Sequence, residues 1–410
     1  MTNPSSGLPL EGVRVLDFTT ILAGPHITQW LGVLGAEIIK VETHLRAESR
    51  LVSVIAKTPR RMGLNESDSF AIHNYSKKSI TLNMKHPEAL GLARELVKKC
   101  DIITENFAGD TMARWGLGFD EIRALRPNAI VYAGSGFGRT GPRAGAPLYA
   151  PVADANNGLV MINGYKGGEP YTLGSSGWTD MAMAMHGTFA ILCALRHRQE
   201  TGEGQYIDCA MIEVQAQFLG DLYMDFVLNG RNGARVGNTS EWRAPHGAYR
   251  CRGEDRWVAI SIGTQPEWEA FCSVARRPEW LQGPEFADEL RRWENQEALD
   301  ALVTEWTREQ DAHELARKLQ EAGVIATASL DFQELIDDPH VRERGFFRTI
   351  HHPVMGELLF AQMPYKTVES SPGNYFHSPL LGEHNGYVFG ELLGLSADEI
   401  ARLEREKVLY

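Results

Sequence analysis

Covalent chemistry in this chain centres on one carboxylate. Gly177-Trp178-Thr179-Asp180 opens a run in which Met181, Met185, Phe189, Leu192 and Leu195 recur at helical spacing, with Gly202 where a C-terminal stop belongs. Asp180 therefore falls at the first turn of a helix. Such a carboxylate has two readings. It is an N-cap accepting from orphan backbone N–H groups, or it is kept ionised by the helix dipole and serves as a nucleophile at neutral pH. The stretch alone leaves both open. His186, further along the same helix, reads as a packing or hydrogen-bonding group rather than a base. Lys77, Lys78, Lys85 and Arg114 are the cations that could surround an anionic ligand, scattered surface charge being the other reading. Cys100, Cys193, Cys209, Cys251 and Cys272 are odd in number, widely spaced and without a CxxC or Cys/His pattern, so free thiols are expected and neither a disulfide nor a metal site.

The elements that must position Asp180 can be read in order. A strand over 13–18, a helix over 25–34 begun by Pro25 and closed by Gly35, and a strand over Glu37–Glu42 make a βαβ unit. Alternation continues with a short strand among the lysines near Ile80, a helix over Pro87–Lys99, a strand over 101–105, a helix over Phe119–Leu125 and a strand over 129–134. An α/β fold with a Rossmann-like parallel sheet is expected, its first loop lying at the carboxyl end where such sheets bind ligands. That loop lacks GxGxxG, so Glu42 at a strand end gives no support for a nicotinamide cofactor, and Gly24 and Gly35 read as close-packing positions. Gly134-Ser135-Gly136-Phe137-Gly138 has no helix pattern behind it and reads as a glycine turn. The segment over 43–70 reads as charged and irregular. Beyond about 217 the pattern changes, with a strand over 257–262 and charged amphipathic helices over 266–275 and 297–322, which suggests a smaller α+β domain. Ser396-Ala397-Asp398-Glu399 signals a final helix.

At 410 residues two domains are expected, and 43% hydrophobic with 23% charged residues is ordinary for a globular enzyme. A net charge of −12 argues against nucleic-acid partners. The polar start over 1–7 and the lack of a long apolar run point to a cytoplasmic protein with no membrane association.

Four separated motifs carry a resemblance over nearly the whole chain. Leu10-Glu11-Gly12-Val13-Arg14-Val15-Leu16-Asp17-Phe18 is followed by Ala23-Gly24-Pro25 and by Leu34-Gly35-Ala36-Glu37-Ile38-Ile39-Lys40-Val41-Glu42. Then come the DIITENF stretch over 101–107, the TGEGQ stretch over 201–205 and Leu381-Gly382-Glu383-His384. In this order and spacing the chain resembles the class III CoA-transferases, the family of formyl-CoA and carnitine CoA-transferases that also holds α-methylacyl-CoA racemases. The resemblance places Asp180 on the family's catalytic aspartate. It places Leu82, Lys85, Asn106, Phe107 and Arg114 on positions that hold the adenine, ribose and phosphates of CoA, and Ile21, Leu22 and Ala23 on a loop touching CoA and the acyl group. It further implies a C-terminal return to the first domain, giving a large domain over 1–220, a small domain with linkers over 221–330 and a return over 331–410. Two chains threaded through each other, identical or paralogous, are also implied.

The implied activity moves CoA from an acyl-CoA donor to a carboxylic acid through aspartyl anhydride and aspartyl-CoA thioester intermediates. A CoA thioester enters as substrate, and no tightly bound cofactor is expected. Formyl-CoA transferases carry His, Val and Gln before that Ala, where this chain has Thr20, Ile21 and Leu22, and a basic residue where it has Thr43. The family's glycine-rich second-domain loop is not evident before Trp257 either. These departures turn the expectation from formyl or oxalyl groups toward a larger or less polar acyl group, with succinyl-CoA as donor and an aromatic or dicarboxylic acceptor. Two other readings stand beside it. Racemisation needs a second base, which the racemase branch supplies from a histidine about thirty residues before the aspartate; here Ala146-Pro147-Leu148-Tyr149-Ala150-Pro151 has none. A non-catalytic CoA-binding subunit of a heteromeric transferase is opposed by the intact Asp180.

Overall fold

Strands β1 (Arg14–Asp17), β2 (Glu37–Glu42), β3 (Lys78–Thr81), β4 (Ile102–Glu105), β5 (Ile130–Ser135) and β6 (Tyr206–Ala210) form one sheet in the order β3-β2-β1-β4-β5-β6. Every neighbouring pair is parallel. The computed structural model describes residues 7–45, 50, 63–172, 177–367 and 373–410. The polar start over 1–6 and most of the irregular segment expected over 43–70 lie outside the described residues.

The chain forms two compact units: Met1–Val160 with Thr172–Asn232 and Phe346–Tyr410, and Met161–Tyr171 with Gly233–Gly345. These boundaries differ from those expected at 221–330 and 331–410. Residues 331–343 stay with the second unit because Asp331 and Asp338 cap short helices there and Arg256 pairs with Glu334 at 2.9 Å.

Strand side chains alternate, so the two faces of the large sheet have different cores. Leu16, Ile39, Ile103 and Val131 face a core built with α2 (Pro87–Lys99), α3 (Phe119–Leu125) and the C-terminal residues Phe389 and Leu403. Val15, Ile38, Ile102 and Ile130 face Ile27 and Leu31 of α1 (Ala23–Val33) and Ala184, Ile191 and Ala194 of α5 (Trp178–Thr201). Between α3 and α5 the short α4 (Ala150–Asn156) is added, and α6 (Met211–Gln217) follows β6.

The face of α5 differs from the sequence reading. Met185 and Phe189, expected in the apolar stripe, are 51% and 69% exposed, while Ala184, Gly187, Ile191 and Ala194 are buried. Close approach of α1 and β5 explains this: a Cβ on Gly187 would lie 2.6 Å from Ile27 Cδ1 and 2.8 Å from the Tyr132 hydroxyl. Small residues therefore make the buried seam.

The Leu381-Gly382-Glu383-His384 stretch does structural work on the sheet edge. His384 N donates to Ser79 O at 2.9 Å, Thr81 N donates to Asn385 Oδ1 at 2.9 Å and Asn83 N donates to Val408 O at 2.8 Å, which covers β3 as an edge strand.

In the second unit β7 (His246–Arg250), β8 (Trp257–Ser261) and β9 (Ile325–Ala328) make an antiparallel sheet. Its core is Trp268 and Phe271 of α7 (Gln265–Ala275) with Trp280, Phe286 and Trp306. The run expected as one helix over 297–322 is two, α8 (Gln296–Thr307) and α9 (Ala312–Glu321). Asp311 starts the second by accepting from His313 N and Glu314 N. The hairpin β10 (Phe347–His352) and β11 (Gly356–Ala361) belongs to the first unit, as does the last helix, α10 (Ala397–Arg405), which Ser396 caps as expected. Among the described residues no helix is long and apolar enough to cross a membrane.

Candidate active site

The order of the sheet reverses between β1 and β4, which opens a crevice at the carboxyl ends of the strands. The β1–α1 loop enters it, and a buried polar cluster fixes that loop from below. Asp17 and Lys77 are fully buried and Lys40 is 2% exposed. Asp17 Oδ1 accepts from Thr19 N at 2.9 Å, Lys40 Nζ donates to Thr19 O at 2.7 Å, and Lys77 Nζ donates to Pro25 O at 2.7 Å. Both ends of the loop are thereby held. Lys77 also donates to Asp17 Oδ2 at 3.2 Å and Asn74 Oδ1 at 2.9 Å, so its three donors are all used inside the protein. The sequence reading of Lys77 as a ligand cation is thus corrected. Lys78 is likewise engaged, with Glu37 at 2.5 Å and over the Tyr387 ring.

From above, Asn106 clasps the loop: Thr20 N donates to Asn106 Oδ1 and Asn106 Nδ2 donates to Thr20 O, each at 2.8 Å. Between the two clamps Ile21 has φ +68°, a strained conformation for a β-branched residue. Gly24 is required by close approach, because a Cβ there would lie 2.4 Å from Thr19 Cβ and 3.1 Å from Asn106 Cγ. Gly24→Ala should therefore cost about 1–3 kcal/mol in chemical denaturation and lower activity at temperatures where the variant is still folded.

Asp180 sits at the third position of α5 and does not cap it; Gly177, in the left-handed region, holds the cap position without a side-chain bond. The Asp180 carboxylate instead lies near the Ala23 backbone N–H at the start of α1, which favours its ionised form. The expectation that the dipole lowers its pKa is also reversed. Burial pushes the carboxyl up to about 6, the Ala23 N–H opposes this and nearby Asp154 adds to it. Asp180 is still mostly ionised above pH 7, and its basicity makes it a stronger nucleophile than an exposed carboxylate.

Asp180 lines a cavity of about 370 Å³ with Ile21, Leu22, Ala23, Asn106 and Phe107. A second cavity of about 470 Å³ is lined by Ile21, Leu82, Lys85, Phe107 and Arg114. Thr20, Ile21, Phe107, Thr111 and Tyr149 belong to both, so the two share a wall. Phe107 is held edge-on by Trp115, with ring centroids 5.3 Å apart. Lys85 is exposed, whereas Arg114 pairs with Asp110 at the surface. Leu82 is buried in the wall.

Several lining residues were not assigned to the site by the sequence reading. Gly134, Ser135 and Gly136, read as a turn, border Asp180, and Leu148 is seated so closely that a Cβ on Gly136 would lie 2.2 Å from Leu148 Cβ. Tyr149, Met183 and Met211 come from separate segments and carried no joint signal. Among the described lining residues Tyr149 is the one ionisable side chain besides Asp180, so no second base of the kind racemisation needs faces it. His186 is turned back, its Nδ1 2.9 Å from Ala182 O and its ring edge-on to Phe218. Among the described residues no cluster of His, Cys, Asp and Glu could hold a metal ion.

The chain is 30% identical over 413 residues to the succinyl-CoA–L-malate CoA-transferase beta subunit of Chloroflexus aurantiacus, covering 100% of both chains. It is 31% identical over 401 residues to the succinyl-CoA–D-citramalate CoA-transferase of the same organism, covering 98% of each. A CAIB/BAIF family protein from Brucella suis has the same fold, with a TM-score of 0.85 at 27% identity over 94% of this chain and 100% of that one. The sequence profile described as CoA-transferase family III matches residues 10–385, a span that holds the clamped β1–α1 loop, both cavities and Asp180, and the chain belongs to that family of CoA-transferases.

Proposed function

We propose that Asp180 is the nucleophile of a CoA exchange in which succinyl-CoA is the donor and a carboxylic acid the acceptor. The observation that carries this reading is a basic, half-buried carboxylate in a cavity that shares a wall with a larger one edged by Phe107, Lys85 and Arg114. An Asp180 oxygen attacks the thioester carbonyl, the C–S bond breaks and CoA leaves as thiolate, giving a mixed anhydride. The thiolate attacks the aspartyl carbonyl and expels the acid as carboxylate, leaving an aspartyl-CoA thioester. The acceptor carboxylate attacks that thioester, and the returning thiolate completes the new acyl-CoA. The Ala23 N–H, which meets Asp180 in the free enzyme, remains beside its oxygen as the tetrahedral centres form.

The CoA handle lies in the larger cavity, its base against Phe107, its phosphates toward Lys85 and Arg114, and Ile21, Leu22, Leu82 and Asn106 shape the passage. Binding energy from that handle keeps the thiolate in place between steps. Lys85→Ala and Arg114→Ala are each expected to raise KM for acyl-CoA about 5–10-fold with little change in kcat, and to flatten the salt dependence of kcat/KM.

Relatives named for malate and citramalate favour a dicarboxylic acceptor. The apolar lining of Ile21, Leu22, Leu148, Met183 and Met211 favours an aromatic one. The protein acts in the cytoplasm with a second chain, identical or paralogous. The exposed Met185 and Phe189 on α5 supply an apolar face for that partner, and a relative named as a beta subunit supports a paralogue.

The test is intact-mass analysis after incubation with succinyl-CoA and hydroxylamine, with CoA exchange assayed against dicarboxylic and aromatic acids. A hydroxamate on Asp180 together with exchange is expected, and the panel then ranks the acceptors. Wild-type protein that binds CoA yet gives neither adduct nor exchange with any donor would leave a non-catalytic CoA-binding subunit as the better reading.

A further inference from the structure

Behind the nucleophile lies a second carboxylate that the exchange does not use. Asp154, on α4, is 3% exposed, and Thr179 and Gln215, its neighbours on α5 and α6, are each 1% exposed. Asp154 Oδ1 accepts from the Thr179 hydroxyl and, at 3.1 Å, from Gln215 Nε2. The Gln215 amide also donates to Thr179 Oγ1. Three segments are joined here, and Thr179 immediately precedes Asp180. The adjoining apolar cluster of Ala23, Ala153, Met183 and Met211 packs the same three helices and the start of α1. Both donors to Asp154 are neutral side chains, so no cation answers it within this cluster.

We propose that Asp154 is a positioning residue for Asp180: it fixes the first turn of α5 through Thr179, and its buried charge favours the states in which Asp180 is acylated. The proposal rests on the reading of Asp180 as nucleophile. In the free enzyme the two carboxylates repel, one of the causes that push Asp180 up to about 6. When an Asp180 oxygen bonds to the thioester carbon, the electron pair of the broken C–S bond leaves on sulfur and the charge leaves Asp180. When the thiolate then attacks the aspartyl carbonyl, the C–O bond of the anhydride breaks and that same charge departs on the released carboxylate. Neither acylated form of Asp180 is charged, and in both the repulsion from Asp154 is relieved.

Other titratable groups on the surrounding elements do not compete for this role. Among them are His26 on α1, Tyr132 on β5, Asp208 and Cys209 on β6, His186 on α5, Glu213 on α6 and Tyr149 in the facing loop. Burial keeps His26, Tyr132 and Cys209 uncharged near neutral pH. His186 is turned to its own helix, and Glu213 is exposed.

The experiment compares wild type, Asp154→Asn, Thr179→Ser and Thr179→Val, using succinyl-CoA without acceptor, hydroxylamine trapping and the pH profile of kcat/KM. Asn keeps an oxygen for both donors and removes the charge. Asp154→Asn is expected to move the acidic limb of the profile down by about 0.5–1 unit and to lower the trapped fraction several-fold. Thr179→Ser should behave as wild type, and Thr179→Val should lower kcat about tenfold or more without a comparable change in KM. A wild-type adduct together with an unmoved limb and an unchanged trapped fraction in Asp154→Asn would overturn the proposal alone. Absence of any wild-type adduct would remove the nucleophile reading and this proposal with it.

Discussion

Asp180→Asn is expected to lose CoA exchange by about 10⁴-fold or more and at the same time to be more stable than wild type at pH 8. Both effects follow from a carboxylate that burial pushes up to about 6 from the ordinary 3.8. Between those two values the folded protein binds more protons than the unfolded chain, so stability falls as pH rises through that window and stays lower above it. A shift of about two units corresponds to a cost of up to about 3 kcal/mol at neutral and alkaline pH. Asn carries no charge at any pH and still offers an oxygen to the Ala23 N–H. The gain should therefore be present above pH 6 and absent below about pH 4, as read by urea denaturation at the two extremes. The wild-type kcat/KM should fall with unit slope below about pH 6, because the protonated acid does not attack. A variant that kept exchange, or was less stable than wild type at pH 8, would contradict this account of the site.

The reading of Asp180 as a functional carboxylate came only through the family resemblance, and its electrostatics were not legible at all. The sequence puts Asp180 near a helix N-terminus, where the dipole argues for a lowered pKa; desolvation by α1, α4 and α6 outweighs that local effect, and none of those contacts is local in sequence. The parallel sheet was more readable, because apolar runs such as Glu37–Glu42 and helix signals such as Pro87–Lys99 depend on short-range pattern, and both segments form over those bounds. Helix α5 misled for a different reason. Met and Phe at helical spacing suggest a core face, but the approach of Ile27 and Tyr132 to Gly187 selects alanine and glycine for burial. The break between α8 and α9 depends on Asp311 competing for backbone N–H groups inside an otherwise periodic run. Lys77 shows the limit most directly. Its composition says surface cation, whereas its three acceptors come from segments as far apart as Asp17 and Asn74.

The buried cluster that includes Lys77 yields the second large effect. Asp17→Asn is expected to destabilise the protein by about 3–5 kcal/mol at pH 7, since it leaves Lys77 and Lys40 without their shared counter-charge. In the wild type, burial raises the Asp17 carboxyl, but Lys40, Lys77 and the Thr19 and Thr28 hydroxyls more than offset this and hold it at about 2, below the usual 3.8. A folded pKa below the unfolded one contributes stability that is complete above about pH 4 and is lost as pH falls toward 2. That acid-labile part, about 2–3 kcal/mol for the shift, should be absent from the variant's stability between pH 4 and 2. Burial pulls Lys77 down to about 7, against the opposing attraction of Asp17. Without Asp17 it would deprotonate more readily still, so the deficit of Asp17→Asn should shrink as pH rises from 6 to 9. The functional consequence runs through the loop. Asp17, Lys40 and Lys77 hold Thr19 and Pro25 on either side of Ile21 and Ala23. Folded Asp17→Asn protein at low temperature should therefore show a raised KM for acyl-CoA and a lowered kcat. A variant as stable as wild type at pH 7, or one destabilised equally from pH 6 to 9, would contradict a charge-based role for the cluster.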